Sequence, residues 1–302
     1  MTKAARGAAA QPLDREFIRK VNRALLAWYA ATARPLKIRE RSDPYSVLVS
    51  EVMAQQTQIS RVDQLAERFL SQFPTLAALA KAETAEVLEA WRGLGYNRRA
   101  LSLHRAAQAA HAAGGLPATH EDLQLLPGIG PYTARAVAAI AFGGSEIPVD
   151  VNIARVVQRV MGEAKLSPKP LQAAANLFGA ELKAREAGQW AQAAMDLANA
   201  HCRASTPDCA SCPLRSVCHS AGRVAAPPPR KVGAAPRFSS TRRWLRGRLL
   251  DELRDAGAAG VKLRGARGEH GAEAVTATIE QLQAEGLIER LRGEVYRLPR
   301  RG

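Results

Sequence analysis

The segment LLPGIGPYTA, residues 125–134, places two glycines directly before a stretch that reads as a helix as far as Phe142. Gly128 and Gly130 allow the backbone to turn tightly and to approach a ligand closely. The N–H groups at the start of a helix carry partial positive charge and favour an anion such as phosphate. From these residues alone, an ordinary glycine-rich turn between two helices is an equally good interpretation.

Most of the first two hundred residues show the apolar period of amphipathic helices. A small polar leader, residues 1–13, is predicted to be disordered, and Asp14 is then placed as the N-cap of a helix whose apolar residues recur every fourth position. Asp43 and Pro44 are placed to open another helix. Strands have little room, so the fold class is predicted to be mainly α over residues 14–221.

The composition changes near residue 222. A proline-rich linker is predicted at 222–240, followed by a small module at 241–302. In that module two helical runs and two β-like runs follow one another, at 243–255, 274–285, 287–290 and 295–298. Helices followed by a hairpin indicate a winged-helix-like α+β module, which can bind either DNA or a protein.

The charge points to a phosphate polymer as partner. The chain carries 43 Lys and Arg against 28 Asp and Glu, a formal net charge of +15, and its hydrophobic content of 47% is enough for buried cores. Its sequence has no uninterrupted apolar stretch of the roughly 20 residues that cross a bilayer. We therefore expect a cytoplasmic protein with no membrane partner, whose binding to nucleic acid is sensitive to salt; in a bacterium it would be associated with the nucleoid.

All four cysteines lie in one run with the spacing C-x6-C-x2-C-x5-C: Cys202, Cys209, Cys212 and Cys218. In a reducing compartment such a compact set indicates a metal site rather than disulfides. Zinc prefers paired C-x2-C units, whereas uneven spacing of four thiolates favours a 4Fe–4S cluster. His201 and His219 flank the run and are alternative zinc ligands, although the interpretation that we favour is solvated histidines at a helix end or in a loop.

Two carboxylates are candidates for catalysis. Glu51 lies in a helical stretch among apolar residues, where burial would keep a carboxyl group protonated as a general acid; a partly exposed or salt-bridged glutamate is the alternative. Asp150 directly precedes a helical stretch and is an N-cap by position. Its functional alternative is an anionic carboxylate facing a sugar that develops positive charge, as in cleavage of a glycosidic bond.

The motifs together resemble the helix-hairpin-helix DNA glycosylases that carry an iron–sulfur cluster, and most closely the adenine DNA glycosylases. The resemblance covers residues 14–221 and rests on five motifs in the same order: residues 50–58 (SEVMAQQTQ), 93–96 (GLGY), 126–134 (LPGIGPYTA), 149–152 (VDVN) and the cysteine run. It implies the helix-hairpin-helix glycosylase fold, a 4Fe–4S cluster and mismatched double-stranded DNA as the partner, bound by a monomer.

The resemblance implies catalytic roles for four residues. Glu51 protonates a flipped adenine and Asp150 stabilises the oxocarbenium-like sugar, while Asn152 and Tyr132 support the site. In relatives that also cleave the strand, a lysine stands at the position of Tyr132 and forms a Schiff base. Because a phenol forms no imine, we expect base removal that leaves an abasic site.

The resemblance also implies five DNA contacts. Gln56 and Tyr96 are expected to wedge into the base stack, and Gly128, Gly130 and Thr133 belong to the hairpin that grips the backbone.

Two departures leave alternatives open. The family commonly has Leu-Pro-Trp-Arg where this chain has LKIR at residues 36–39, and many members carry a longer C-terminal domain than residues 223–302 provide. The prediction is hydrolysis of adenine opposite 8-oxoguanine or guanine. The alternatives are a thymine or uracil mismatch glycosylase and, from another class, an iron–sulfur winged-helix transcription regulator.

Overall fold

The computed structural model describes residues 14–163, 165–224 and 236–300. The predicted leader and most of the predicted linker lie outside this part. Fourteen α-helices are found in it, in chain order α1 (Arg15–Thr32), α2 (Lys37–Glu40), α3 (Pro44–Ala54), α4 (Ile59–Gln72), α5 (Leu76–Lys81), α6 (Thr84–Ala90), α7 (Arg98–Ala112), α8 (His120–Leu123), α9 (Pro131–Ala141), α10 (Val151–Met161), α11 (Pro168–Ala180), α12 (Glu186–Ala200), α13 (Arg242–Ala256) and α14 (Ala272–Ala284). The prediction of a mainly α fold is confirmed.

The described residues form two compact units, one of residues 14–34 with 142–224 and the other of residues 35–141 with 236–300. The first unit contains α1 and α10–α12. The predicted cap of α1 is confirmed, because the Asp14 carboxylate accepts a hydrogen bond from the N–H of Glu16 at 3.2 Å. The predicted boundaries at residues 222 and 241 stay a prediction.

A buried amide organises the core of the first unit. Asn22, only 4% exposed, accepts a hydrogen bond from Nε1 of Trp190 at 2.8 Å and donates one to the carbonyl oxygen of Phe178 at 2.9 Å. The rings of Phe178 and Trp190 lie 5.5 Å apart. Since buried polar groups need partners, these bonds fix α1 against α11 and α12.

The second unit is built on α3, whose apolar residues are buried almost all round. The helix begins as predicted, with Pro44 in its first turn and the Asp43 carboxylate accepting from the N–H of Ser46 at 2.9 Å. Leu48 and Met53 are fully buried, and the helix packs against α4, α7 and α9. A helix that is apolar on all faces belongs to the centre of a fold.

The C-terminal part of the second unit combines α13 and α14 with a small antiparallel sheet. Its strands are β1 (Val261–Lys262), β2 (Glu289–Arg290) and β3 (Val295–Arg297), in the order β1-β3-β2. Leucines of α13 and apolar residues of α14 form its core. The predicted winged-helix-like α+β module is confirmed, with one strand, β1, that the sequence did not reveal.

No helix within the described ranges is long and apolar enough to cross a membrane.

Candidate nucleic-acid interface and catalytic residues

Glu51 lies on the central helix of the second unit. Its neighbours Val52 and Met53 are 3% and 0% exposed, and its own side chain is half-buried. The surroundings are apolar, as the sequence predicts, but the residue is not fully buried. Its role as a protonated acid stays a prediction.

Gln56 and Tyr96, both predicted to enter the base stack, share an uncommon backbone conformation. Their φ angles are +55° and +47°, in the left-handed region that favours glycine. Holding a non-glycine residue there costs on the order of 1 kcal/mol and persists only when the surroundings impose it. Both side chains are exposed, and both residues line one cavity of about 970 Å³. The structure therefore brings the two predicted wedges together.

Arg99, at the start of α7, holds the backbone around both residues. Its Nη1 donates to the carbonyl oxygens of Val52 at 3.0 Å, Met53 at 2.9 Å and Gln55 at 2.5 Å. Two of these carbonyls belong to the last turn of α3, where helices leave acceptors without intrahelical partners. Arg99 therefore caps α3 and fixes the segment that leads to Gln56.

The second terminal nitrogen of Arg99, Nη2, contacts the segment that leads to Tyr96. Nη2 donates to the carbonyl oxygens of Leu94 and Gly95, both at 3.2 Å, and to Oγ1 of Thr57 at 3.1 Å. The guanidinium also lies 5.4 Å from the ring centroid of Tyr96. Burial lowers the pKa of Arg99 from its ordinary value, a measure of how far the group is desolvated. Sequence reasoning missed Arg99, whose only signal was its place three residues after the GLGY motif.

The predicted hairpin is present between α8 and α9. Gly128 has φ +76°, and a Cβ atom added there would lie 2.4 Å from Cβ of Ser102 on α7. Gly130 has open space around it. Gly128 is thus required by the turn and by packing against α7, an additional reason for a glycine besides access for a ligand.

The first turn of α9 contains Tyr132 and Thr133. Tyr132 is half-buried, whereas Thr133 is 2% exposed and its hydroxyl accepts a hydrogen bond from Nε2 of Gln55 at 3.1 Å. A contact of Thr133 with DNA would therefore use its backbone. The side chain instead ties the hairpin to the segment after α3.

Asp150 caps α10 in the first unit, as the sequence predicts. One carboxylate oxygen accepts from the N–H groups of Asn152 and Ile153 at 2.9 and 2.7 Å, and the other accepts from Nδ2 of Asn152 at 2.8 Å. Asn152 accepts in turn from Nη2 of Arg155 at 3.1 Å, and Nε of Arg155 donates to the carbonyl oxygen of Cys202 at 2.7 Å. The carboxylate is therefore oriented through a chain of bonds that ends at the cysteine loop.

The four cysteines of that loop line a single small cavity of about 20 Å³. None is in a disulfide, and all are half-buried. Burial raises the pKa of Cys212 to about 11 and also raises that of Cys218. Within the described ranges, no set of three or more His, Cys, Asp or Glu side chains is arranged to hold a metal ion as it stands. The convergence of four free thiols on one cavity nevertheless matches the donor set of an iron–sulfur cluster.

Both histidines that flank the cysteine run contact other side chains. His201 lies 3.0 Å from Oγ of Ser211 through Nδ1, and His219 stacks on Phe17 with ring centroids 4.7 Å apart. Arg159 of α10 donates to Sγ of Cys202 at 3.4 Å. Both histidines thus contact neighbouring side chains, and their interpretation as solvated histidines outside the metal site stays a prediction.

Comparison with known proteins identifies the family of this chain. Residues 49–179 match the HhH-GPD superfamily of base excision DNA repair proteins. The chain is 40% identical to the adenine DNA glycosylase of Mycolicibacterium smegmatis over 243 residues, which cover 77% of this chain and 80% of that protein.

Two further comparisons concern thymine-DNA glycosylases. The one from Aeropyrum pernix is 33% identical over 216 residues, 68% of this chain and 96% of that protein. The solved structure of a thermostable thymine-DNA glycosylase superposes with a TM-score of 0.63 at 23% identity, covering 69% of this chain and 98% of that one. The structural likeness concerns the fold. The higher identity to the mycobacterial protein favours the adenine prediction over its alternatives.

Proposed function

Because this chain belongs to the adenine DNA glycosylase family within the HhH-GPD superfamily of base excision repair enzymes, we propose that it hydrolyses the N-glycosidic bond of adenine mispaired with 8-oxoguanine or guanine in double-stranded DNA. The product is an abasic site. The observation that carries the proposal is the pair of carboxylates at the motif positions, a half-buried Glu51 on an apolar helix and an Asp150 oriented by three N–H donors.

In this proposal the two carboxylates act in opposite charge states. Glu51 gives its proton to a ring nitrogen of the flipped adenine, so that the base leaves as a neutral molecule. Asp150 remains ionised and stabilises the positive charge that develops on the deoxyribose, and water completes the hydrolysis. Asn152 holds the Asp150 carboxylate through its backbone and side-chain N–H groups. Tyr132 supports the site, and since its phenol forms no imine, strand cleavage is not expected.

The second unit supplies the proposed DNA contacts. Gln56 and Tyr96 enter the base stack at the flipped nucleotide, and the backbone of the hairpin at Gly128, Gly130 and Thr133 binds phosphate. The left-handed backbone of both wedge residues supports this role, because such strain is concentrated at functional sites.

The cysteine loop is proposed to hold a 4Fe–4S cluster through Cys202, Cys209, Cys212 and Cys218. When bound, the cluster would tie the loop after α12 into one conformation, and through Arg155 this loop orients the start of α10. Purified protein should contain about four iron atoms and about four acid-labile sulfides per chain. One zinc ion per chain and no labile sulfide would contradict this assignment.

Residues 36–39 depart from the family pattern, so a second candidate for the removed base is also considered. The similarity to a thymine-DNA glycosylase favours removal of thymine from T:G pairs as the second candidate.

The identity of the released base separates the two candidates. The holoenzyme is incubated in excess over duplexes carrying A:8-oxoguanine, A:G, T:G or U:G, and the free base is identified by chromatography. We expect adenine from the first two duplexes. Release of thymine or uracil alone would replace the adenine proposal, and release of no base from any duplex would favour the DNA-binding regulator.

We further propose that the enzyme acts as a monomer in the bacterial cytoplasm, with residues 241–302 as a module after a linker at 222–240. Size-exclusion chromatography with light scattering, with and without duplex DNA, tests the oligomeric state. A dimer on DNA would contradict this part of the proposal.

A further inference from the structure

One wall of a large cavity in the second unit consists of residues that have no role in the proposed base removal. The cavity of about 970 Å³ next to Gln56 and Tyr96 is also lined by the 3₁₀ turn Phe238–Ser240 through Phe238, and by α13 through Arg243, Arg246 and Gly247. The C-terminal part of the chain therefore forms one side of the space into which the wedges project.

The position of α13 is fixed by a buried arginine. The Arg254 side chain is 3% exposed and pairs with Asp251 at 2.8 Å. Its Nη2 donates to the carbonyl oxygen of Leu88 at 2.9 Å and to Oδ1 of Asn97 at 2.8 Å. Asn97 directly follows Tyr96, so that α13 is attached beside the second wedge.

Two side chains of the C-terminal part face the wedge. The guanidinium of Arg243 lies 4.4 Å from the ring centroid of Tyr96 and donates to its hydroxyl oxygen at 3.2 Å. Phe238 is 61% exposed, and its ring centroid lies 6.0 Å from the same guanidinium. An exposed phenylalanine beside a stacked arginine and tyrosine offers flat surfaces to a base.

The charge of the cavity is unbalanced. Arg246 is neutralised by Glu285 at 2.5 Å, but Arg61, Arg98 and Arg243 are exposed, and in the described part of the chain none of the three has an acidic group within ion-pair distance. Exposed, unpaired guanidinium groups next to aromatic rings are the combination that binds nucleic acid, with the cations on phosphate and the rings against bases.

We propose that this cavity binds one nucleotide that is displaced from the base stack, with its base on Phe238 and its phosphate on Arg243. The C-terminal segment is then part of the DNA-binding site. The inference rests on the proposed function to the extent that the ligand is duplex DNA opened by the wedges. The nucleotide comes either from the strand that contains the target or from the opposite strand.

The test measures binding of the cluster-loaded full chain to a duplex whose target adenosine carries a 2′-fluorine. The fluorine makes the glycosidic bond resistant to hydrolysis, so that binding is measured without base release. The variants are Phe238→Ala and Arg243→Gln, with Arg242→Gln as the matched control because Arg242 is an exposed neighbour on α13 outside the cavity lining. We expect Phe238→Ala to weaken binding about tenfold. Arg243→Gln should reduce the slope of log K against log salt by about 1, and Arg242→Gln should stay within about twofold of the wild type.

The strand is identified with 2-aminopurine, placed in turn opposite the target and at its neighbours. Fluorescence that changes on binding at one position, and changes less in Phe238→Ala, locates the displaced nucleotide. Wild-type affinity and salt slope in both cavity variants, or equal losses in Arg242→Gln, would overturn the inference while leaving adenine release by the wild type intact. If the wild type releases no base but the cavity variants still lose binding, the inference about the cavity is retained and the proposed function is rejected.

Discussion

Replacing Arg99 by methionine should loosen both wedge segments at once. The substitution removes all of the hydrogen bonds from Nη1 and Nη2 while keeping a long apolar stem against Trp91, whose ring lies 5.5 Å from the guanidinium. The last-turn carbonyls of α3 and the carbonyls of Leu94 and Gly95 would then lack their charged donor. We expect the left-handed backbone at Gln56 to relax, because the carbonyl oxygen of Gln55 would then keep only the longer hydrogen bond from Oγ1 of Thr57, at 3.4 Å, among the contacts of the described residues.

The magnitude follows from the geometry. A hydrogen bond from a charged donor contributes about 1.5–3 kcal/mol, and two nitrogens sharing six acceptors act as two or three full bonds rather than six. Relaxation of Gln56 and Tyr96 out of the left-handed region would recover about 1–2 kcal/mol of backbone strain. Two or three such bonds total about 3–9 kcal/mol, so the net loss in the free energy of unfolding should be about 4 kcal/mol, near the centre of the range that remains.

The assay is urea unfolding of wild type, Arg99→Met and Arg99→Lys, with Arg98→Met as the control because Arg98 is exposed and donates none of these bonds. At about 2 kcal/mol per molar urea, the midpoint of Arg99→Met should fall by about 2 M, and Arg99→Lys should recover only part of it because an ammonium cannot span both segments. A loss below about 1 kcal/mol, together with wild-type affinity for mispaired DNA, would refute the assignment of Arg99 as the residue that positions the wedges.

Three other predictions test separate parts of the structure. Gly128→Ala should lower the free energy of unfolding by about 2 kcal/mol or more, since it adds a left-handed alanine and a clash with Ser102, whereas Gly130→Ala should be tolerated; equal unfolding midpoints would contradict this. Burial lowers the pKa of His104, so the unfolded chain binds the proton at a higher pH than the folded chain does. As the pH falls below about 6.5, the free energy of unfolding should therefore decrease by up to about 1.4 kcal/mol per pH unit. Urea titrations of His104→Gln at the same pH values should lack this slope. Arg155→Met breaks the bond to the cysteine loop and should slow adenine release about tenfold or more at unchanged iron content, while an unchanged single-turnover rate would show that the bond does not orient the start of α10.

The helical framework was predictable because local signals define it. Asp14, Asp43 and Asp150 each precede an apolar helical run and each caps a helix in the structure. The winged-helix-like segment followed from its turn glycines and helix periodicity. The strand β1 was missed because two residues carry no periodicity, and its pairing with β3 is a long-range contact.

The candidate site was predicted at the level of motifs rather than contacts. The sequence places Gln56 and Tyr96 in their motifs, but their proximity depends on Arg99, whose role arises only when the end of α3 and the GLGY turn meet. The packing of α13 beside Tyr96 was equally hidden, because its determinant Arg254 bonds to Leu88, 166 residues away, and a surface arginine looks the same in sequence as a buried one.

The most direct test of the proposed chemistry compares wild type with Glu51→Gln in single-turnover release of adenine from an A:8-oxoguanine duplex, with binding to the 2′-fluorinated duplex as the control. Glutamine keeps the shape of the side chain but has no carboxyl proton to give. The rate should fall by at least about a hundredfold, the contribution of a general acid, while affinity changes less than about threefold. A rate within tenfold of wild type, at wild-type affinity and iron content, would contradict the assignment of Glu51 as the proton donor.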